Sequence, residues 1–265
     1  MTVLGKNIPV PQSYAPQLLD PIPRAAARSL LGFGAALPFQ GEDVWHAWEL
    51  AWLEADQPHA AVARLVLPCE TPNLIESKSL KLYLASLNQT RFTDQAELQT
   101  TLQTDLTAVA GGAVTVEILA LDSPSLQVDQ LAGECIDDLP VGSHAAQPTA
   151  EILVGQDGSG EQVLYSHLLR SLCPVTAQPD WATVIVTCEG AYLSPTSLLD
   201  YIVSFRNHQE FHEQCVERMF RDIHSACAPQ RLSVQALYTR RGGLDINPYR
   251  ATEAGPAPRL RTSRQ

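Results

Sequence analysis

Cys173 and Asp180 lie seven residues apart around a Pro174 and a Pro179, at the end of a run that reads as a strand. A thiol at a strand end can project into a cleft and attack an electrophilic carbon. A carboxyl folded back across the loop can take the thiol proton as sulfur attacks and return it to the product. A carboxylate beside a thiol raises its pKa, so Asp180 alone does not create a thiolate. The same spacing also suits a buried loop cysteine and an aspartate capping a turn. The neighbourhood occurs twice. Ser166-His167, Cys173 and Gln178-Pro179-Asp180 are echoed 121 positions earlier by Trp45-His46, Trp52 and Gln57-Pro58-His59. Further on, Tyr83, Ser86 and Asp105-Leu106 echo Tyr201, Ser204 and Asp222-Ile223. A duplicated module follows, in which Trp52 and His59 stand where the second copy holds Cys173 and Asp180.

Three other segments carry chemistry. Glu76-Ser77-Lys78-Ser79-Leu80-Lys81-Leu82-Tyr83 packs a carboxylate, two serine hydroxyls and two lysines into a helix start, where free backbone N–H groups, with Ser77 and Lys78, can bind a phosphate. A capped, solvated first turn accounts for the same residues. In His208-Gln209-Glu210-Phe211-His212-Glu213, the two histidines are four apart, a spacing that lets one helix face share a metal. No H-x-H or C-x-x-C supplies further ligands. His212-Glu213 reads better as a clamp, since a carboxylate accepts two hydrogen bonds from the N–H and NH₂ edge of a guanine-like ring. Arg240-Arg241-Gly242-Gly243 offers guanidinium groups and close backbone approach for a phosphate, or simply a turn with exposed charge.

Positioning these groups requires a sizeable fold. The 265 residues are 45% apolar. Residues 1–30 read as an irregular proline-rich arm, 31–121 as the first module, 122–160 as a connector and 161–265 as the second module. Strands are expected at 59–67, 113–121, 162–172, 183–188 and 232–236. Helices are expected at 79–87, 93–109, 195–205 and 208–227. Leu98, Leu102 and Leu106 share one helix face, as do Phe211, Cys215, Met219, Ile223 and Cys227. Each module is thus β-β-α-α-β-like: an α+β arrangement of antiparallel sheet with helices on one face.

Composition narrows the partners. A net charge of −11 disfavours direct binding of free nucleic acid, although six of the 18 basic residues are arginines from Arg240 onward, suited to a small anion. No run approaches a membrane span, and the first 20 residues have no signal-peptide pattern. The six scattered cysteines are expected to be reduced thiols of a cytoplasmic protein. Cys69, Cys188, Cys215 and Cys227 follow apolar patterns and read as packing residues.

Together the four segments resemble the NADPH-dependent 7-cyano-7-deazaguanine reductases, the nitrile reductases of queuosine biosynthesis, in their long two-module form. The resemblance extends from Leu4-Gly5-Lys6 and Pro21-Ile22-Pro23-Arg24 through Cys135-Ile136-Asp137-Asp138 to Asn247-Pro248. It implies tandem tunnelling-fold (T-fold) modules in a homo-oligomer, expected to be a homodimer. It implies Cys173 as the nucleophile that forms a thioimidate and Asp180 as the proton donor. Ile75, Glu76, Ser77, His212 and Glu213 would hold the deazaguanine. Ser77, Lys78, Arg241 and Gly242 would hold NADPH, the only cofactor implied, with no metal. The product would be 7-aminomethyl-7-deazaguanine. Because the second copy lacks a Glu-Ser-Lys and the first lacks the nucleophile, one complete site would draw on both modules. The competing readings are a zinc-dependent cyclohydrolase of the same fold and a non-enzymatic purine-binding protein.

Overall fold

The computed structural model describes residue 11 and residues 13–142 and 145–265; the Leu4-Gly5-Lys6 segment lies outside them. The first half runs β1 (Pro21–Pro23), α1 (Arg24–Leu30), β2 (Gln40–Glu54), β3 (Gln57–Pro68), β4 (Asn73–Ile75), α2 (Ser77–Ser86), β5 (Arg91–Phe92), α3 (Gln95–Ala110) and β6 (Thr115–Leu119). The second runs β7 (Glu134–Cys135), β8 (Gly155–Gln156), β9 (Glu161–Leu172), β10 (Pro179–Glu189), β11 (Tyr192–Leu193), α4 (Pro195–Ser204), α5 (His212–Cys227), β12 (Arg231–Tyr238) and β13 (Leu244–Ala251). The protein is α+β, with mostly antiparallel strand pairing. It folds as two compact units. One draws on residues up to 27, 43–127 and 240–246; the other on 28–42, 128–239 and 247–265.

In the first unit the strands run β6-β3-β2, with the short β5 parallel to the end of β2. The leucine stripe of α3 closes its core: Leu98, Leu102 and Leu106 are fully buried with Trp45, Leu50, Leu65 and Tyr83. The helix begins where Asp94 accepts a hydrogen bond from Glu97 N (2.9 Å) and ends at Gly111 in the left-handed region (φ 72°). A Cβ at Gly111 would lie 2.6 Å from Pro72, so glycine is required there twice over.

In the second unit the order is β12-β10-β9-β7, with residues 249–251 of β13 paired to 233–235 of β12. Helix α5 turns Cys215, Met219 and Ile223 inward, as the four-residue spacing predicts. It also buries Glu217, whose carboxylate takes Arg28 Nη2 at 2.7 Å and Arg250 Nη2 at 2.9 Å.

The sequence echo recurs in side-chain bonds. Tyr83 donates to Asp105 at 2.6 Å and Tyr201 to Asp222 at 2.7 Å. Ser86 Oγ donates to Tyr83 O at 2.5 Å and Ser204 Oγ to Tyr201 O at 2.6 Å. At the helix starts, Ser79 Oγ donates to Glu76 O and Ser197 Oγ to Ser194 O. Ser194 therefore stands where the first copy has Glu76.

The structure corrects four local expectations. The proline-rich segment is not wholly irregular: Pro21–Pro23 pairs with β4 and continues into α1. Proline is admissible in so short an edge strand because few of its N–H groups are needed. A 15-residue strand, β2, precedes the strand expected at 59–67. Helix α5 starts at His212, not His208, because a 3₁₀ turn, Phe205–Asn207, ends in extended backbone at His208. Finally, β13 follows the supposed last strand. Its Asp245, Asn247 and Arg250 hide the apolar alternation, yet all three are buried and hydrogen-bonded.

Candidate active site

Strands β9 and β10 form a hairpin whose register sets Pro179 opposite Leu172 and Asp180 opposite Ser171. Cys173 follows the last residue of β9. Its N–H donates to Gln178 O and its carbonyl accepts from Ala177 N, both at 2.9 Å. Closing this short loop puts Ala177 in the left-handed region (φ 53°), costing about 1–2 kcal/mol for a residue with a Cβ. The sulfur is half-buried. Burial and the Asp180 carboxylate push the thiol pKa up. The Thr176 hydroxyl and the N–H groups of Thr176 and Val175 hydrogen-bond the sulfur and win, so the thiol lies below its ordinary value. The thiolate character that Asp180 opposes thus comes from the loop.

Alternation along β10 turns Asp180 inward, at 3% exposure, and Trp181 outward, at 46%. The segment before α5 is tied to the same hairpin end: Leu172 N donates to His208 O at 2.8 Å. Arg218 holds Glu210 with Nε 3.0 Å from Oε2, fixing the approach to the helix. The first helical residue is His212, whose Nε2 lies 3.3 Å from Asp180 Oδ2. Its ring stacks on Tyr238 with centroids 3.6 Å apart and planes 4° from parallel. Tyr238 is fully buried, and burial raises its hydroxyl far above the usual range, with Ser171 and Cys215 beside it. Glu213 follows, 3% exposed. The second unit therefore gathers Cys173, Asp180, His212 and Glu213 around one hairpin end and one helix start.

The first unit holds the other predicted residues. Ile75 ends β4 with its side chain in the core, leaving any ligand contact to its backbone. Glu76, 5% exposed, caps α2 by accepting from Lys78 N at 2.9 Å and Ser79 N at 2.7 Å. Two N–H groups expected to greet a phosphate are instead taken by a carboxylate, so an anion there must rely on the Ser77 and Lys78 side chains. Arg241 and Leu244 exchange backbone hydrogen bonds across Gly242-Gly243, both at positive φ, which is a two-residue hairpin turn of type I′. That turn and α2 line a pocket of about 180 Å³ with Glu49, Lys81, Asn88 and Leu244. The pocket is smaller than the roughly 300 Å³ at which small-molecule sites begin, so it fits one part of a dinucleotide rather than all of it. Its glycine backbone and lysine suit a phosphate or ribose.

The histidine pair does not form a metal site. His208 lies outside the helix, with Nδ1 2.9 Å from Gln147 Oε1 and Nε2 3.0 Å from Glu210, while His212 faces Asp180. Burial raises Glu210, but His208 and Arg218 outweigh it and hold the carboxyl below its usual range. Trp52 and His59, the counterparts of Cys173 and Asp180 in the sequence echo, stack at 5.4 Å as a packing pair. Sequence reasoning missed Thr176 and Tyr238, and singled out Lys81 only as a member of the Glu76–Tyr83 segment, with no role of its own. A hydroxyl three residues beyond Cys173 was a usable signal for Thr176. The pairing of Tyr238 with His212 exists only in three dimensions.

Comparison with known proteins shows the family. Residues 10–118 match the family described as nitrile reductase, 7-cyano-7-deazaguanine-reductase N-term, and residues 179–256 match a QueF-like protein family. A protein of Saccharophagus degradans named NADPH-dependent 7-cyano-7-deazaguanine reductase is 48% identical over 264 residues, covering 99% of this chain and 98% of its own. This chain belongs to the NADPH-dependent 7-cyano-7-deazaguanine reductase family. Identically named reductases include one of Chromohalobacter salexigens, 49% identical over 99% of this chain and 96% of its own. Another, of Azoarcus sp., is 51% identical over 94% and 90%. The crystal structure of the archaeosine synthase QueF-Like in the apo form aligns with a TM-score of 0.31 at 18% identity, covering 39% of this chain and 96% of that one. Among the described residues of this reductase-family chain, no helix is long and apolar enough to cross a membrane.

Proposed function

We propose that this protein reduces the nitrile of 7-cyano-7-deazaguanine to the aminomethyl group, with NADPH as hydride source, as a step of queuosine biosynthesis. The observation that carries the chemistry is the half-buried Cys173 thiol, lowered by its own loop, beside the Asp180–His212 pair. A nitrile carbon is a weak hydride acceptor. Addition of the Cys173 sulfur forms a C–S bond and turns it into a thioimidate, a better one, while a proton from the Asp180–His212 pair goes to nitrogen. The carbon then takes a hydride from NADPH to give a tetrahedral thiohemiaminal. Loss of the thiolate leaves a bound imine, which takes a second hydride and proton to become the amine. Asp180 is the proton donor in this reading, and His212, 3.3 Å away, shares and resupplies its proton.

Ile75, Glu76, Ser77, His212 and Glu213 hold the deazaguanine, the two carboxylates accepting from the ring's N–H and NH₂ edge. Ser77, Lys78, Arg241 and Gly242 hold NADPH. The Gly242-Gly243 turn and Lys81 in the small pocket support that assignment. Two tunnelling-fold modules from one duplication, assembled as a homodimer, are the architecture this reading implies. The duplication within the chain is supported by the paired Tyr–Asp and Ser–Tyr bonds of the two copies.

NADPH oxidation on adding 7-cyano-7-deazaguanine tests the reading. We expect two NADPH consumed per nitrile and none with Cys173→Ala. A folded wild type that oxidises no NADPH with the nitrile overturns it.

A further inference from the structure

We propose that Cys135, Asp137 and His167 form a binding site for a thiophilic divalent cation of the zinc class, separate from the Cys173 centre. A thiol, a carboxylate and an imidazole each present one donor atom, and the three atoms lie within 4.8 Å of one another. No step of the reductase chemistry uses them, so the site stands independently of that reading.

The donors are held in place by the fold. Cys135 ends β7, which pairs in parallel with β9 so that Cys135 stands opposite Tyr165. Ile136, with no exposure, anchors the next residue through Ile136 N to Tyr165 O at 3.0 Å. Asp137 is oriented by β9 itself: its Oδ1 accepts from Ser166 Oγ at 2.6 Å and its Oδ2 from His167 N at 3.1 Å. The His167 ring is fixed by Thr183 Oγ1, 2.8 Å from Nδ1, and Thr183 in turn accepts from Arg264 Nη2 at 3.0 Å. Hydrogen-bonded outer partners of this kind orient ligands at metal sites and sustain their affinity.

Ligand chemistry chooses the cation. A thiolate with an imidazole favours Zn²⁺, Co²⁺ or Ni²⁺ over Mg²⁺ or Ca²⁺, which prefer all-oxygen shells. With Zn–S near 2.3 Å and Zn–N near 2.0 Å, tetrahedral neighbours stand about 3.5 Å apart. The three donors, within 4.8 Å of one another, therefore need to close by at most about 1.3 Å. Cys135 is exposed, which leaves a fourth position to water or another small ligand.

Co²⁺ titration of the dialysed full-length chain tests the site, since thiolate-bound Co²⁺ shows a ligand-to-metal charge-transfer band. We expect one equivalent to develop the band and Zn²⁺ to displace it. Cys135→Ser should abolish the band. His167→Gln should weaken binding by about tenfold or more. Cys173→Ala should leave both unchanged. Circular dichroism confirms that each variant is folded. Absence of the band in the wild type, its survival in Cys135→Ser, or its loss in Cys173→Ala overturns the proposal. NADPH oxidation plays no part in this readout, so failure here and failure of the reductase reading are distinguishable.

Discussion

At the scale of residues, the acidity of the Cys173 thiol is a contest between opposing neighbours. Burial and Asp180 raise the thiol, whereas Thr176 and two backbone N–H groups lower it and prevail. Removing the hydroxyl with Thr176→Val should let the raising effects gain. A hydrogen bond to the charged sulfur favours the thiolate, so losing it should raise the thiol. The sign is checkable by iodoacetamide alkylation followed across pH. The Thr176→Val inflection should move to higher pH, with rates converging where both thiols are ionised. An unchanged inflection would assign the lowering to the backbone alone. His212 offers a second test. Its ring is clamped between Asp180 at 3.3 Å and Tyr238 at 3.6 Å, a geometry suited to passing a proton rather than only gripping a ligand. His212→Ala is therefore expected to slow turnover at saturating nitrile by at least about tenfold, while binding of the nitrile weakens less. Equal turnover at saturation would leave His212 a binding residue only.

Elements show why some of this was legible in the chain and some was not. The helices α2, α3 and α4 and the long strands β3, β9 and β10 follow from periodicity, caps and turns that lie within a few residues of each other. The echo of Tyr83 and Asp105 in Tyr201 and Asp222 was visible as letters, and it is a repeated hydrogen bond. What could not be read was anything set by tertiary pairing. Strand β13 looks like a loop because its buried Asp245 is satisfied by His46 at 2.9 Å and Trp48 at 2.5 Å, residues some 200 positions away. The start of α5 was misplaced because His208 is held by Gln147 and Glu210, not by the helix. At Glu76 the capped-turn reading holds, because its two oxygens accept from the Lys78 and Ser79 N–H groups of its own helix start. The repeated Tyr–Asp bond also yields a comparison between copies. Asp222 is 1% exposed, whereas Asp105 is half-buried and also accepts from Tyr14 at 2.6 Å. Tyr201→Phe deprives a buried carboxylate of a donor and should cost about 1–3 kcal/mol. Each carboxylate keeps a second partner, Asp222 the Arg221 guanidinium (Nε at 2.7 Å) and Asp105 the Tyr14 hydroxyl, so Tyr83→Phe should cost less because water reaches the half-buried Asp105. Urea unfolding of the two variants decides; equal losses would mean that burial does not distinguish the copies.

On the scale of the whole molecule, a chain of 265 residues with two units must secure segments distant in sequence. In the second unit this falls to a buried charge cluster. Glu217 of α5 accepts from Arg28 Nε at 3.0 Å and Nη2 at 2.7 Å, and from Arg250 Nε at 3.1 Å and Nη2 at 2.9 Å. One carboxylate thereby joins the residue-28 segment, the helix carrying His212 at its start, and the end of β13. Both guanidinium groups also lie over the Phe39 ring, at 5.8 and 5.5 Å. Such a cluster gains little over a well-packed apolar one, but losing a single member strands the rest. Glu217→Ala leaves two cations deep in the fold without their main acceptor and should destabilise by about 3–5 kcal/mol. Against a total of about 5–15 kcal/mol for a folded protein, that is a large share. Urea denaturation should show it as a lower midpoint. Cys215, fully buried and raised by burial, should become open to alkylation at urea concentrations where the wild type still protects it. A loss below about 1 kcal/mol would show that water reaches Arg28 and Arg250 in the variant, and that the three segments are held by apolar packing instead.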